Sequence, residues 1–243
     1  MRPSIRFVLL ALCCAFLHFQ AAGVHAQYVN TNLVQKKVTI RSATILPAKV
    51  EITKESAKGS EMMVAESAAI STNVMEAVGE ALQKKQFTVV TNSFEPASMD
   101  DTRKYTLADI QTRYDALLPK LFDKSKDIKK ARFTLGDEVM LLNVHKDADV
   151  LVFIRGTGKV FTKGKTAFAL VNIFNFEYPF IQFTVGLVDA RTGEVLAFTK
   201  PLAATKVLKD KKTLTKLIEK SLKKLPAGTP VPAPAATATQ SDQ

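Results

Sequence analysis

The chain has 243 residues, of which 47% are hydrophobic and 23% charged, and its formal net charge is +11. The apolar content is too high for a wholly disordered chain, and the length suits one α/β domain of ordinary size or two small ones. Only one stretch, at the N-terminus, is apolar enough to enter a membrane.

This N-terminal stretch has the layout of a secretory signal peptide. Arg2 and Arg6 precede an apolar run from Phe7 to Phe19, which is too short to span a bilayer as a permanent helix. Val24-His25-Ala26 then places Val at −3 and Ala at −1 of a cut before Gln27. We therefore predict a signal peptide at residues 1–26 that is cleaved after Ala26.

A lipoprotein signal is the alternative, because Leu10-Ala11-Leu12 precedes Cys13. The residue before a lipidated cysteine should be small, and Leu12 is large, so we expect no lipidation. Cleavage after Ala26 removes both cysteines, which excludes disulfides from the mature chain. It also removes Arg2 and Arg6 and leaves 32 basic residues against 23 acidic ones.

Runs of β-branched and aromatic residues predict strands, and apolar residues that recur every three or four positions predict helices. The predicted elements begin with a strand at 44–52 with Pro47 at an edge or bulge, a polar loop at 54–60, a helix at 61–84 capped by Ser60 and a strand at 87–90. Next come a helix opened by Thr106, which Pro119 either kinks or ends near Leu118, a shorter helix opened by Thr134 and a buried strand at 150–154. The last are a turn at 163–165, strand-like segments at 167–175 and 180–188, a hairpin loop at 189–193, a strand at 194–199 and a helix at 210–225.

This order predicts a single α/β domain at residues 43–225, with a mixed sheet flanked by helices and an antiparallel meander in the C-terminal half. Residues 27–42 are predicted to be an extended lead-in. Residues 226–243 are rich in Pro, Ala and Thr, which predicts a disordered tail or tether.

The residues offer little catalytic chemistry. His145 is the one histidine of the mature chain, and its place after an apolar helix favours a helix C-terminal role. Asp147-Ala148-Asp149 is spaced like a divalent-ion pair but has no third ligand nearby. Gly156-Thr157-Gly158 lacks the third glycine and the helix of a dinucleotide loop. We therefore predict no enzyme, no metal and no cofactor; a hydrolase of unknown type is the alternative.

Two basic segments are the first candidates for binding. Residues 206–224 contain eight lysines against Asp210 and Glu219, and residues 120–132 contain six basic residues against Asp123 and Asp127. Such segments either form a solvated surface or bind anionic lipid or an acidic polymer. No aromatic residues alternate with these charges, so we predict no nucleic-acid partner. The candidate contacts for an anionic surface are Lys212, Lys216, Lys220 and Lys223.

The stretch from Ala167 to Phe183 is the second candidate. It holds five Phe and one Tyr, and Glu177 is its one charge. Because both faces of such a strand are largely apolar, the stretch is either buried between sheet and helices or exposed for a partner or a membrane. If it is exposed, the candidate partner contacts are Phe168, Phe174, Phe176, Tyr178 and Phe180.

Four pieces of sequence carry a resemblance to a known group: Ile45-Leu46-Pro47, and residues 81–90, 147–152 and 185–196. In outline, residues 43–225 resemble the bacterial envelope proteins of the curli-secretion lipoprotein and penicillin-binding-protein activator group, which is similar in fold to the amino-terminal domain of TolB. The resemblance implies a periplasmic α/β module that works through protein contacts and has no active site.

Two departures from this group matter. Its members are commonly lipidated, whereas this chain lacks a good lipobox, and no transmembrane hairpin pattern is clear unless residues 167–183 supply one. We therefore predict a secreted, non-enzymatic accessory or scaffold protein of the cell envelope with an unidentified protein partner. The alternative is a peripheral binder of anionic membrane or cell-wall polymer. The sequence leaves the oligomeric state open.

Overall fold

The computed structural model describes residues 26–56, 58–90, 94, 99–161, 180–200, 202–204 and 210–229. Nine strands lie in this part of the chain: β1 (Ala26–Val29), β2 (Ser42–Ile45), β3 (Lys49–Ser56), β4 (Gly59–Met62), β5 (Thr88–Val90), β6 (Val150–Phe161), β7 (Phe180–Asp189), β8 (Val195–Lys200) and β9 (Leu202–Ala204). Its α-helices are α1 (Thr31–Val34), α2 (Val64–Lys84), α3 (Asp101–Asp123) and α4 (Lys211–Ser221). Shorter 3-10 segments span Ser125–Lys130, Asp137–Leu142 and Val144–Lys146. None of the helices in these ranges is long and apolar enough to cross a membrane.

The strands form a mixed sheet in the order β1-β8-β7-β6-β2-β5, so the predicted fold class is confirmed. β6, β7, β8 and β1 are antiparallel neighbours, whereas β6 is parallel to β2 and β3. The β7–β8 turn is the predicted hairpin loop, in which Gly193 adopts a φ of 69°. Asp189 Oδ1 accepts hydrogen bonds from the backbone of Arg191 and Thr192 at 2.9 and 2.8 Å.

The strand predicted at 44–52 is two strands on the same side of β6. Ile45 lies opposite Val152, and Lys49 lies opposite Arg155, so four residue steps on this side match three on β6. The extra residue is accommodated around Pro47, which has no N–H to donate to the ladder. Of the two alternatives for Pro47, the bulge is the one observed.

Helices cover the sheet on both faces, and alternating residues of β6 supply the two cores. Val150, Val152 and Ile154 face α2 and α4, whereas Leu151 and Phe153 face α3 and the 3-10 segments. All five residues from Val150 to Ile154 are buried, so helices cover both faces of this part of β6. The run at 150–154 is therefore apolar throughout, as predicted.

The polar loop predicted at 54–60 is wrong, because β3 continues to Ser56 and forms a hairpin with β4. Backbone pairing in that hairpin therefore occupies Ser60, the predicted helix cap. The helix starts at Val64 instead, after Met63, whose side chain makes no capping hydrogen bond.

The predicted start of α3 is also wrong. Asp100 caps this helix by accepting from the backbone N–H of Arg103 at 2.7 Å, six residues before the predicted cap, Thr106. Thr106 lies within the helix and donates to the carbonyl of Thr102 at 2.9 Å. The helix also continues through Pro119, because the buried side chain of Leu121 holds the last turn against the core.

Other segments differ in smaller ways. Thr134 joins two loops by accepting from Gly136 N and donating to Thr192 O, and the segment after it is a 3-10 helix. The predicted lead-in contains β1 and α1, so it is part of the fold. α4 is shorter than predicted, although Leu222 and Leu225 beyond it are buried. The predicted turn at 163–165 and the strand at 167–175 lie outside the described residues.

Candidate functional site

α4 divides its residues between the core and a row of lysines. Its apolar residues recur at helical spacing, and Leu214, Ile218, Leu222 and Leu225 pack into the core that it shares with α2. Lys212, Lys216, Lys220 and Lys223 lie on the other side of the helix, and all four are exposed. We call these four residues the lysine face. Successive members are three or four positions apart, which places Lys212, Lys216 and Lys220 in one stripe along α4, and Lys223 follows in the turn after Ser221.

The lysine face has no ion pair within the described part of the chain, whereas the charges between α4 and α2 are paired. Lys211 Nζ lies 2.9 Å from Glu80 Oε1 and 3.0 Å from Glu76 Oε2, and Lys84 pairs with Glu219. The hydrogen bond from Lys211 is the main cause that lowers the pKa of Glu80, and a bond from Thr215 adds to it. The carboxylates nearest to α4 are therefore engaged in helix packing.

The second basic segment lies on the opposite face of the sheet from α4. Ile128 anchors residues 125–130 in the core under α3, and this segment packs against β1 and β8. Arg132 Nη1 lies 3.7 Å from Asp127 Oδ2, which neutralises one of its acidic residues. Its lysines are exposed, namely Lys120, Lys124, Lys126, Lys129 and Lys130.

The aromatic stretch is only partly described. Phe183 and Ile181 are buried on the sheet face that packs against α2. The backbone of Phe180 pairs with Lys159 of β6 and Ala204 of β9. The other candidate partner contacts lie outside the described residues: Phe168, Phe174, Phe176 and Tyr178. The two alternatives for this stretch thus stay open for residues 167–179.

The residues weighed for metal or phosphate binding serve the fold. Asp149 Oδ2 accepts from the backbone N–H of Arg41 at 2.7 Å and of Ser42 at 3.2 Å, so this carboxylate ties the start of β2 to the start of β6. Asp147 is exposed. Gly158 lies within β6, where a Cβ would overlap the side chain of Ile181. Its role is close packing between strands.

His145 lies in the 3-10 segment Val144–Lys146, at the end of the helical run that begins at Asp137. This placement matches the helix C-terminal position expected for it. His145 is the one histidine in the described part of the chain, so no second imidazole lies beside it there.

A buried polar cluster beneath α3 was not predicted. Arg155 is 6% exposed, and its Nε donates to Asp115 Oδ1 at 2.5 Å. Tyr114 stacks on Phe153 with ring centroids 4.1 Å apart, and burial raises the pKa of its hydroxyl. Lys49 Nζ lies 3.8 Å from Asp115 Oδ2. The cluster fixes α3 on the sheet at the end of its apolar region.

A sequence signal for this cluster existed in β6. Leu151, Phe153 and Arg155 are two residues apart, so they lie on the same face of β6. The signal was a charged residue directly after two apolar residues on that face. Its partner could not be found by spacing, since Asp115 is 40 residues away.

No protein-family model matches the chain, and no curated protein matches it. Among solved structures, the PelC dodecamer from Paraburkholderia phytofirmans is 12% identical, covering 86% of this chain and 100% of that chain at a TM-score of 0.35. A single-residue variant of that PelC dodecamer is 13% identical, covering 84% of this chain and 100% of that chain at a TM-score of 0.36. These TM-scores are too low to support a shared fold or function.

Proposed function

We propose that this protein is a secreted, non-enzymatic accessory protein of the cell envelope that binds an anionic surface through the lysine face. One observation carries the proposal: Lys212, Lys216, Lys220 and Lys223 are exposed, the first three in one stripe along α4, and have no ion pair in the described chain. A surface that supplies phosphates or carboxylates would give them their counter-charges.

The electrostatics favour such a surface. A lysine close to an anionic membrane contributes about 1 kcal/mol, so four of them contribute about 4 kcal/mol at physiological ionic strength. That gain is lost when salt shortens the Debye length to about 3 Å at 1 M. A solvated surface with no partner would show no such dependence.

The envelope location rests on two sequence features. The N-terminal Arg-apolar-small pattern is typical of a signal peptide, and the outline of residues 43–225 resembles periplasmic envelope modules. Export would bring the lysine face into contact with anionic phospholipid and cell-wall polymer.

The test is binding of the protein, purified from the export compartment of a bacterial host, to phosphatidylglycerol vesicles and to cell-wall sacculi. The variant K212E/K216E/K220E/K223E should lose binding to at least one of them. Its matched control is K54E/K58E/K146E/K159E, which changes the net charge equally at four exposed lysines elsewhere.

Equal loss of binding in both variants would show that net charge matters rather than the lysine face. Binding that survives the α4 variant would contradict the proposal outright. Mass spectrometry of the purified protein tests the predicted cleavage at the same time, because an N-terminus other than Gln27 would contradict it.

A further inference from the structure

Two basic segments that are distant in the sequence flank the same edge of the sheet. Among the described residues, β1 is a terminal strand of the sheet and pairs only with β8. Residues 125–130 pack against β1 on the face where Tyr28 contacts the core under α3. On the other face, the backbone N–H of Lys224 donates to Gln27 Oε1 at 2.5 Å. The 125–130 segment and Lys224, which follows α4, therefore contact β1 from opposite faces of the sheet.

The chain that continues from β1 adds further positive charge to this edge. α1 packs against residues 125–130, and Lys36 and Lys37 follow it directly. Asp127 is the acidic residue of the 125–130 segment, and it is paired with Arg132. We call the exposed lysines that surround β1 and α1 the basic edge: Lys36, Lys37, Lys126, Lys129, Lys130 and Lys224.

An apolar side chain lies within the basic edge. Val34 ends α1 and is 57% exposed, whereas Leu33 beside it is buried in the core. An exposed valine gains free energy when it enters the apolar boundary of a bilayer, and it gains none from a hydrated polyanion. The combination of lysines with Val34 therefore favours a lipid surface.

We propose that the basic edge docks on an anionic lipid bilayer, with its lysines at the phosphates and Val34 at the acyl boundary. The proposal rests on the proposed function and names its anionic surface as a membrane. It also extends the contact from the lysine face on α4 to residues 125–130, on the other face of the sheet.

The test compares vesicles of phosphatidylglycerol in phosphatidylcholine, vesicles of phosphatidylcholine alone, and soluble polyglutamate. K129E/K130E should weaken binding to the anionic vesicles roughly tenfold or more, and K58E/K146E, an equal charge change at exposed sites away from the edge, by about twofold. Val34→Asp should weaken anionic vesicle binding about tenfold, and Val34→Ser, which leaves the charge unchanged, should weaken vesicle binding less and leave polyglutamate binding unchanged. Val34→Ser, a milder change, guards against a folding defect.

The outcomes separate this inference from the proposed function. If K129E/K130E binds like K58E/K146E while the α4 variant loses binding, the basic edge is overturned and the lysine face stands. If neither Val34 variant weakens vesicle binding, or if polyglutamate competes fully and binds as tightly, the bilayer is overturned as the partner. If the α4 variant also binds normally, both proposals fail.

Discussion

Gly186 shows how one residue can depend on a contact that is remote in sequence. It lies opposite Phe153 in the β6–β7 ladder, and a Cβ at this position would overlap Tyr114 Oη. We expect Gly186→Ala to lower the free energy of unfolding by about 2 kcal/mol, because the core must shift to accept the methyl group. Chemical denaturation measures this loss.

Gly79→Ala is the matched control for that substitution. A Cβ on Gly79 would meet Ile45 Cδ1 at 3.5 Å, which is an ordinary contact, and alanine favours the helix by up to about 1 kcal/mol. Gly79→Ala should therefore raise the free energy of unfolding, whereas Gly186→Ala should lower it. Equal stability of Gly186→Ala and the native protein would contradict the packing of α3 described above.

Tyr114 gives a second test at the residue scale. Its hydroxyl is buried and has no hydrogen-bond partner among the described residues. We expect Tyr114→Phe to leave the free energy of unfolding unchanged or to raise it by about 1 kcal/mol, because a desolvated group is removed. A loss of more than about 1 kcal/mol would instead show that the hydroxyl is satisfied, for example by an internal water.

Neither residue could be assigned its role from the sequence. Tyr114 lies on the buried face of α3, which follows the 3.6-residue period of Leu107, Ile110 and Leu121. Its stacking on Phe153 and its approach to Gly186 arise only when α3 docks on the sheet. Contacts of this kind depend on the docking angle of a helix, which periodicity does not encode.

At the scale of elements, α2 and α4 are joined by ion pairs that respond to pH. Glu80 has a lowered pKa, chiefly because it accepts a hydrogen bond from Lys211. A carboxylate of this kind contributes stability above its unfolded pKa, near 4.5, and the contribution is lost as pH falls through the lower folded value. We expect Glu80→Gln to cost about 0.5 kcal/mol at neutral pH and the cost to vanish under acid conditions.

Thermal melts across this pH range measure that effect. Glu61→Gln is the control, since Glu61 is exposed on β4 and makes no ion pair in the described chain. The opposite result is a stability difference between the native protein and Glu80→Gln that increases as the pH falls. That result would contradict the ion pairing between α2 and α4.

The end of α3 was the element boundary that was hardest to predict. Pro119 indicated either a kink or a helix end near Leu118; burial of Leu121 contributes about 2 kcal/mol, and the helix continues. Because proline cannot donate to the carbonyl of Asp115, we expect Pro119→Ala to raise the free energy of unfolding by about 1–3 kcal/mol. Calorimetry tests this, and a lower stability would mean that the docking of Leu121 requires the proline.

The fold class follows from the sequence, because the apolar run at 150–154 and the turn signal at 189–193 mark the central strand and the hairpin beside it. The β3–β4 hairpin was missed because β3 is polar beyond Ile52 and β4 is exposed throughout, which leaves no alternation to detect there.

At the scale of the whole molecule, pairing divides the charges into two kinds. Carboxylates such as Glu76 and Glu80 face lysines across helix contacts, and Asp115 faces Arg155 in the core. The lysines of the lysine face and the basic edge make no ion pair in the described chain, although the pKa of Asp210, lowered chiefly by a hydrogen bond from Thr213, is lowered further by the charge of Lys212. The lysine-rich composition of residues 206–224 indicated the lysine face. The contact of residues 125–130 and Lys224 with the two faces of β1 was not predicted, because it follows from strand order.

The most direct measurement is acylation of lysine amines in the exported protein, followed by peptide mass spectrometry, with and without anionic vesicles or sacculi. The account predicts that Lys212, Lys216, Lys220 and Lys223 lose reactivity when the anionic surface is present and regain it at 1 M salt, where the Debye length is about 3 Å. Lys58 and Lys146, exposed elsewhere, should react equally in every condition. Uniform reactivity of all six lysines at low salt would contradict binding through the lysine face.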